Sequence, residues 1–101
     1  MPKGYWIVHI DVTDPAAYEA YRNAVAPYLA ANAGRFVVRA GRSKLVEGAL
    51  KPRHVVIEFP DYEMALSAYE SAEYQAIKAL RLKPSRADLQ ADRKGSEASG
   101  A

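Results

Sequence analysis

Three ionisable side chains, those of His9, Arg39 and Glu58, each interrupt a run of aromatic and β-branched residues. A guanidinium beside a carboxylate can orient it, or can bind an anionic ligand through two parallel hydrogen bonds. An imidazole titrates near neutral pH and can transfer protons. Anion binding and general acid–base catalysis need groups of these kinds, provided that the fold brings the three side chains to one surface.

The runs that carry these residues have the composition of β-strands. Aromatic and β-branched residues at positions 5–12, and alternating patterns at positions 35–40 and 53–60, predict three strands. Residues 43–47 are expected to continue the second strand or to form a short strand of their own. Residues 87–91 contain a single large apolar side chain and are expected to form a fourth strand at an edge of the sheet.

The segments between the strands begin with helix-start signals. Asp14 can accept hydrogen bonds from the first amides of a helix that runs to about Asn32, and Gly34 is expected to end this helix in a left-handed conformation. Asp61 and Ser71 can each cap a helical segment, so the second helix is expected to be broken in two.

The predicted order of elements is strand, helix, strand, strand, broken helix and strand. This order is typical of an α+β fold, the ferredoxin-like split βαβ sandwich, in which the first and third strands lie in the centre and the helices cover one sheet face. We expect residues 1–91 to form this domain. Residues 92–101 are expected to form a mobile tail, because they contain no large apolar side chain to bury.

Charge and composition exclude several partners and chemistries. The 14 Lys and Arg residues against 12 Asp and Glu residues give a net charge of +2 that is scattered along the chain, so nucleic acid is not an expected partner. The absence of Cys removes disulfides, thiolate nucleophiles and sulfur-ligated metals. No apolar run approaches the roughly 20 residues of a membrane helix and no leader pattern is found, so we expect a soluble cytoplasmic protein.

The alternation of side chains along strands predicts which residues lie on the sheet face that the helices leave open. The residues expected there are Tyr5, Ile7, His9, Asp11, Val37, Arg39, His54, Val56 and Glu58. The apolar members of this set predict association through the open face, and a two-fold homodimer is the commonest arrangement. Two facing sheets would enclose a space lined by His9, Arg39 and Glu58.

Two interpretations of this charged group stay open. The group could bind a ligand, with Tyr5 and Tyr74 as pocket walls, since the other five tyrosines follow helical spacing and are expected to pack in the core. Alternatively, Arg39 and Glu58 could form an ion pair that fixes the register of the dimer. Two histidines and a glutamate could also form a metal triad, but their spacing matches no metal motif, so neither a metal nor another cofactor is expected.

Five short segments taken together resemble an uncharacterised family, domain of unknown function thirteen-thirty, of the dimeric α/β-barrel superfamily. These segments are residues 3–6, 39–42, 47–48, 53–60 and 71–75, and the resemblance extends over roughly residues 3–88. It implies a ferredoxin-like fold whose two sheets form a barrel across a dimer, and it implies no established activity. The family's motif positions, implied as pocket or interface residues, are Arg39, Glu47, Gly48, Arg53, Glu58, Ser71, Tyr74 and Arg81.

Two segments depart from the pattern of this family. The family's Gly-Gly before the second strand is Ala-Gly at residues 33–34, and its apolar closing strand is replaced by a largely polar run at residues 89–94. The second departure puts the fourth strand and the edge of the barrel in question.

The sequence therefore predicts a homodimer that binds a small anionic or aromatic metabolite. The residues expected to contact the ligand are Arg39, Glu58, His9, Tyr5 and Tyr74. One alternative is a structural or regulatory dimer without a small-molecule site. Another is a cofactorless monooxygenase or isomerase in which His9 or Glu58 takes a proton, since the superfamily includes such enzymes. Whether the protein is an enzyme is left open by the sequence.

Overall fold

The computed structural model describes residues 2–95, and within them four strands form one antiparallel sheet in the order β2-β3-β1-β4. The elements in chain order are β1 (Gly4–Val12), α1 (Pro15–Ala31), β2 (Arg35–Arg39), β3 (Arg53–Phe59), α2 (Tyr62–Glu70), α3 (Ala72–Lys78), a short 3₁₀ turn (Ala79–Arg81) and β4 (Ser85–Arg93). The predicted α+β order is confirmed, and the first and third strands lie in the centre of the sheet as expected.

The helices cover one face of the sheet, and the core lies between the two layers. Strand residues buried there alternate with partly exposed ones, as the two-residue period requires. The buried apolar residues are Trp6, Val8, Ile10, Tyr18, Tyr21, Val25, Tyr28, Leu29, Val55, Ile57, Phe59, Ala65, Ala68 and Tyr74. Trp6 is fully buried, and its indole Nε1 donates a hydrogen bond of 2.7 Å to the Ala65 carbonyl of α2, which joins the two layers.

The first helix begins and ends where predicted, but the left-handed residue after it is a different one. The Asp14 carboxylate accepts a hydrogen bond of 3.2 Å from the Ala17 amide, and Asn32 caps the other end. The left-handed residue is Ala33, with a φ of 63°, so the prediction for Gly34 is wrong by one position. Gly34 meets a different requirement, because a Cβ there would lie 3.2 Å from the Leu29 carbonyl oxygen.

The second helix is broken in two, as predicted. The Asp61 carboxylate caps α2 through the Met64 amide at 2.8 Å, and the Ser71 hydroxyl caps α3 through the Tyr74 amide at 3.0 Å. Because Ser71 has extended backbone angles, the helix axis changes direction there. No helix in the described part of the chain is long and apolar enough to span a membrane.

The connection from β2 to β3 contains no strand. Residues 41–50 are all exposed, so the prediction of a strand over residues 43–47 is wrong. Within residues 2–95 no strand lies beside them to pair with, and an isolated alternating pattern cannot satisfy its backbone groups in a ladder. Leu45 and Val46 are consequently exposed.

The fourth strand is longer than the predicted residues 87–91, since β4 pairs with β1 over its whole length, Ser85–Arg93. Its backbone hydrogen bonds to a central strand do not require large apolar side chains, which is why composition alone underestimated it. Residues 92 and 93 of the predicted tail therefore belong to β4, and the Lys94 amide donates to the Lys3 carbonyl at 2.8 Å. Residues 96–101 of that predicted tail lie outside the described residues.

Candidate functional site

A β-bulge in β2 decides which of the predicted site residues meet. The register of β2 against β3 shifts between Phe36 and Val38, so the strand holds one extra residue. Downstream of the bulge Arg39 pairs with Val55, whose side chain faces the helices. Arg39 therefore lies on the helix-covered face, and the prediction that it shares the open face with Glu58 is wrong.

Arg35 is the arginine that contacts Glu58 on the open face. Its Nη2 donates to Glu58 Oε1 at 2.8 Å, and the Tyr5 hydroxyl donates to Oε2 at 3.0 Å. Lys3 adds a weaker ion pair at 3.9 Å. The hydrogen bond from Arg35, and after it the one from Tyr5, lower the pKa of Glu58 against the opposing effect of burial. Glu58 is thus an ionised carboxylate whose two oxygens are both occupied.

His9 lies on the same face but at a distance from Glu58. Glu58 pairs with Tyr5, and His9 is four residues further along β1, a separation of about 13 Å. The His9 ring packs edge-on against the ring of His54, with centroids 5.0 Å apart, and His9 Nδ1 is buried without a hydrogen-bond partner in residues 2–95.

The ring of His54 is held by the chain before β3. Its Nε2 bonds to the Lys51 carbonyl at 2.7 Å, and the Lys51 ammonium pairs with Asp88 on β4. The hydrogen bond and charge of Lys51 lower the pKa of the Asp88 carboxyl. Within residues 2–95 no three side chains of His, Cys, Asp or Glu are grouped so that they could hold a metal ion.

A cleft lies on the other face, between α1 and the strands β2 and β3. Its inner part is a cavity of about 40 Å³, enough for roughly three water molecules, and its outer part has a volume of about 410 Å³. The inner cavity is lined by Trp6, Val8, Ile10, Tyr18, Tyr21, Arg22, Val25, Leu29, Phe36, Arg39, Arg53, Val55 and Ile57. Tyr18, Arg22 and Arg53 line both parts, so they lie at the junction of the two, termed the passage.

Arginines without a carboxylate partner surround this passage. The Arg53 guanidinium carbon lies 5.7 Å from the ring centroid of Tyr18, and Arg53 Nε is buried with no acceptor among the described residues. The guanidinium carbon of Arg39 lies 4.2 Å from the ring centroid of Phe36. In residues 2–95 no carboxylate oxygen comes within 4 Å of either guanidinium.

Acidic groups near the cleft are few and mostly at its outer rim. Arg22 is the one arginine at the passage that has an acidic partner, Glu19, at 3.5 Å on the exposed surface of α1. Asp11 and Glu19 line the outer part of the cleft, and neither lines the inner cavity. The passage therefore carries an excess of positive charge, which suits an anionic group.

Behind the inner cavity a second arginine contacts two tyrosines. Arg81 is 6% exposed, and its Nη2 donates a long hydrogen bond of 3.5 Å to the Tyr74 hydroxyl. The Tyr74 and Tyr21 hydroxyls lie 2.8 Å apart. Burial strongly raises the pKa of Tyr21, so its phenol stays protonated at neutral pH. Tyr74 is fully buried and does not line the cleft, but it contacts two residues that do, Tyr21 and Trp6.

The five residues expected to contact a ligand are thus divided between two surfaces. Arg39 lines the cleft and Tyr74 lies behind it, whereas His9, Tyr5 and Glu58 lie on the open face. Reasoning from strand parity missed Arg53, although the signal was available. Arg53 alternates with Val55, Ile57 and Phe59, the buried residues of β3, so the same period puts it on the helix side.

The strand order and the helix-side cleft define a ferredoxin-like α+β protein. A model of the family named Domain of unknown function (DUF1330) matches residues 3–91, and the chain belongs to this family. No curated protein sequence matches it.

Solved structures with the same fold share little sequence with the chain. A Rhodopseudomonas palustris protein of unknown function, RPA0582, is 12% identical with a TM-score of 0.72, over 94% of this chain and 84% of that one. SnoaB of Streptomyces nogalater, a cofactor-independent oxygenase, is 14% identical with a TM-score of 0.66, over 95% and 96%. A Bacteroides thetaiotaomicron protein described as a possible oxidoreductase is 11% identical with a TM-score of 0.58, over 91% and 97%. At these identities the similarity establishes the fold.

Proposed function

We propose that this protein binds a small metabolite with a carboxylate and an apolar or aromatic body in the cleft between α1 and the strands β2 and β3. The observation that carries the proposal is the Arg53 side chain, whose Nε is buried at the passage without a hydrogen-bond acceptor in the described chain. A buried donor on a charged group destabilises the fold unless it is paired. A ligand carboxylate would supply the missing acceptor.

The charge around the passage supports an anion rather than a neutral ligand. Arg39 pairs with Val55 on the neighbouring strand, two residues along from Arg53 and on the same sheet face, so the two guanidinium groups can approach one carboxylate from two sides. Guanidinium groups bind carboxylates with two parallel hydrogen bonds, which gives orientation as well as affinity.

The outer part of the cleft has the size and the walls that a metabolite body needs. Its volume of about 410 Å³ lies within the range of about 300–1,000 Å³ that is usual for small-molecule sites. Pro15, Tyr18 and Pro52 supply flat apolar surface there. The inner cavity, at about 40 Å³, admits only the polar head of such a ligand.

The proposal is tested by titrating ¹⁵N-labelled protein with phenylacetate and following amide shifts. We expect shifts around the passage and at least a tenfold weaker affinity in Arg53→Gln, since a charge-assisted hydrogen bond contributes about 1.5–3 kcal/mol. Arg86→Gln, an equal charge change at an exposed position of β4, serves as the control. Equal affinities of Arg53→Gln and the wild type, or shifts confined to the open sheet face, would contradict the proposal.

We also propose that the protein is a homodimer closed through the open sheet face. Val38 is 44% exposed there, and beside it are the partly exposed Val56 and Ile7 of the next two strands. Light scattering at micromolar concentration should give twice the mass of 11.1 kDa. Val38→Asp should give the monomer, whereas Met64→Asp on α2, where Met64 is 39% exposed, should not. A monomeric wild type would exclude the dimer, and a dimer that binds no carboxylate would favour the purely structural alternative.

A second candidate function is cofactor-independent oxygenation, which the structural similarity to SnoaB favours. A phenolic acid would be oxidised by dioxygen to a quinone, with one oxygen atom inserted and the other leaving as water. His9 and Glu58 lie across the sheet from the cleft and remain candidate proton acceptors only for chemistry at the open face. Oxygen-electrode measurements with an electron-rich phenolic acid test this candidate. Absence of oxygen uptake under conditions where the acid binds would exclude it.

A further inference from the structure

Two arginines flank a pair of packed tyrosines at the cleft. Arg53 lies 5.7 Å from the ring centroid of Tyr18, the Tyr18 and Tyr21 centroids are 5.4 Å apart, and Arg81 lies 5.6 Å from the Tyr21 centroid. Arg53 is at the passage, whereas Arg81 is buried behind the tyrosines. One small molecule that contacts Arg53 is therefore within reach of Tyr21, which also lines the inner cavity.

The charge of Arg81 favours one direction for the hydrogen bonds behind the cavity. A guanidinium can only donate, so the Tyr74 hydroxyl oxygen accepts from Arg81. The Tyr74 and Tyr21 hydroxyls lie 2.8 Å apart and either could donate, but a hydroxyl that accepts from a guanidinium is the better donor, which favours donation from Tyr74 to Tyr21. In that arrangement the hydrogen of the Tyr21 hydroxyl has no acceptor among residues 2–95 and is available to a group in the cavity. The positive charge of Arg81 strengthens each donor in the chain.

We propose that Tyr21 donates a hydrogen bond to a second oxygen of the bound carboxylic acid, so that the cleft selects acids with a carbonyl or phenolic oxygen close to the carboxylate. This inference rests on the proposed binding of a carboxylate at Arg53. Tyr21 is the residue that touches the ligand, and Tyr74 and Arg81 are positioning residues that act through it.

The dimensions of the cleft support a short spacing between the two oxygens. The inner cavity of about 40 Å³ accepts a group of a few heavy atoms, such as the head of a 2-oxo acid, and the rest of the molecule must stay in the outer cleft. Apart from its three arginines and two tyrosines the cavity is walled by aliphatic and aromatic side chains, and the arginines are occupied by the carboxylate, so a second oxygen needs a donor of its own such as the Tyr21 hydroxyl.

A pair of matched acids tests the inference. Phenylglyoxylate (2-oxo-2-phenylacetate) and phenylacetate differ only in a carbonyl group in place of a methylene group next to the carboxylate. We expect the wild type to bind the oxo acid about fivefold more tightly, which is the effect of one neutral hydrogen bond. Tyr21→Phe should bind both acids equally, with its affinity for phenylacetate unchanged. Titrations followed by amide shifts give all four dissociation constants.

Two further variants distinguish the role of the Tyr21 hydroxyl from that of the residues that position it, Tyr74 and Arg81. Tyr74→Phe cuts the chain from Arg81 but keeps the Tyr21 hydroxyl, so the preference for the oxo acid should fall without vanishing. Tyr28→Phe removes a buried hydroxyl of the same helix that lies outside the cavity, and should keep the full preference. An unchanged preference in Tyr74→Phe would overturn the role of the chain.

The outcomes distinguish this inference from the proposed function. Equal binding of the two acids by the wild type, with weaker binding of both in Arg53→Gln, would overturn the role of Tyr21 and leave the carboxylate site intact. Binding of neither acid at millimolar concentration would overturn both. A preference that persists in Tyr21→Phe would also overturn the inference, because the selecting group would then lie elsewhere.

Discussion

Arg35 and Glu58 face each other across the β2–β3 ladder, and the Arg35 Nη2 donates to Glu58 Oε1 at 2.8 Å. Arg39 follows Arg35 by four residues on the same strand, a spacing that would put both on one face of a regular strand. The bulge in β2 turns Arg39 to the opposite face, where it pairs with Val55. One extra residue therefore assigns one arginine to an ion pair and the other to the cleft.

The pKa of the Glu58 carboxyl should depend on Arg35 and not on Arg39. Because the Arg35 hydrogen bond is the largest of the effects that lower the pKa of Glu58, Arg35→Gln should raise that pKa toward the ordinary value of about 4.3. Arg39→Gln should leave it unchanged. Side-chain carboxyl ¹³C shifts followed against pH measure both. An equal response to the two substitutions would contradict the register that the bulge imposes.

The ion pair of Arg35 with Glu58 also predicts how the stability of the fold depends on pH. The pKa of Glu58 is lower in the folded protein than its ordinary value, so folding favours the ionised form. Its stabilisation is present above about pH 4.3 and is lost as the pH falls through the lower folded-state pKa. Glu58→Gln should therefore lose less thermal stability than the wild type between about pH 5 and pH 2. Glu47→Gln, in the exposed connection before β3, should behave like the wild type.

Gly4 is expected to tolerate no side chain. A Cβ at this position would lie 2.6 Å from the Cα atom of Tyr62, and backbone at the start of α2 cannot move aside without disturbing the cap of that helix. Gly4→Ala should reduce the free energy of unfolding by about 2–3 kcal/mol, as overpacking does. Gly41→Ala, where a Cβ meets nothing within 4 Å, should change it by less than about 0.5 kcal/mol. Urea unfolding at one protein concentration measures both, and equal losses would contradict the close approach.

Ala33 is expected to be less favourable than glycine. Its φ of 63° is left-handed, which destabilises an alanine by about 1 kcal/mol, whereas glycine adopts it freely. Since glycine loses more chain entropy on folding, Ala33→Gly should stabilise the protein by about 0.5 kcal/mol net. Ala31→Gly, at the last residue of α1, should instead destabilise it. A loss of stability in Ala33→Gly would contradict the left-handed conformation.

The Tyr28 hydroxyl should stabilise the contact between α1 and the junction of α2 with α3. It lies 2.6 Å from the Ser71 hydroxyl and donates to the Ala68 carbonyl at 3.1 Å. Tyr28→Phe should reduce the free energy of unfolding by about 1 kcal/mol, the usual contribution of a buried hydrogen bond. Tyr62→Phe removes a hydroxyl for which the described residues provide no hydrogen bond, and should have little effect. Thermal unfolding measures both variants, and equal losses of stability in Tyr28→Phe and Tyr62→Phe would contradict the prediction.

Much of the fold was predictable because its determinants are local. The alternation along β1 and β3 and the helix caps each depend on a few neighbouring residues. The caps are Asp14, Asp61 and Ser71. Together these local signals give an order of elements that agrees with one topology. The strand over residues 43–47 was wrong, since alternation cannot report whether a neighbouring strand is present. The length of β4 was underestimated for a related reason, because its pairing with β1 depends on backbone groups that every residue has.

The candidate site was predictable in its chemistry but not in its assembly. The chain by itself determined that arginines, tyrosines and a carboxylate would occupy a sheet with one covered and one open face. Only the tertiary structure decided which of these side chains lie next to each other, through the bulge after Phe36. Parity is a rule with a period of two, so a single inserted residue reverses every assignment downstream of it, and no residue type in β2 marks that insertion. The bulge leaves Glu58 with Arg35 and puts Arg39 on the face of Arg53, at the cleft.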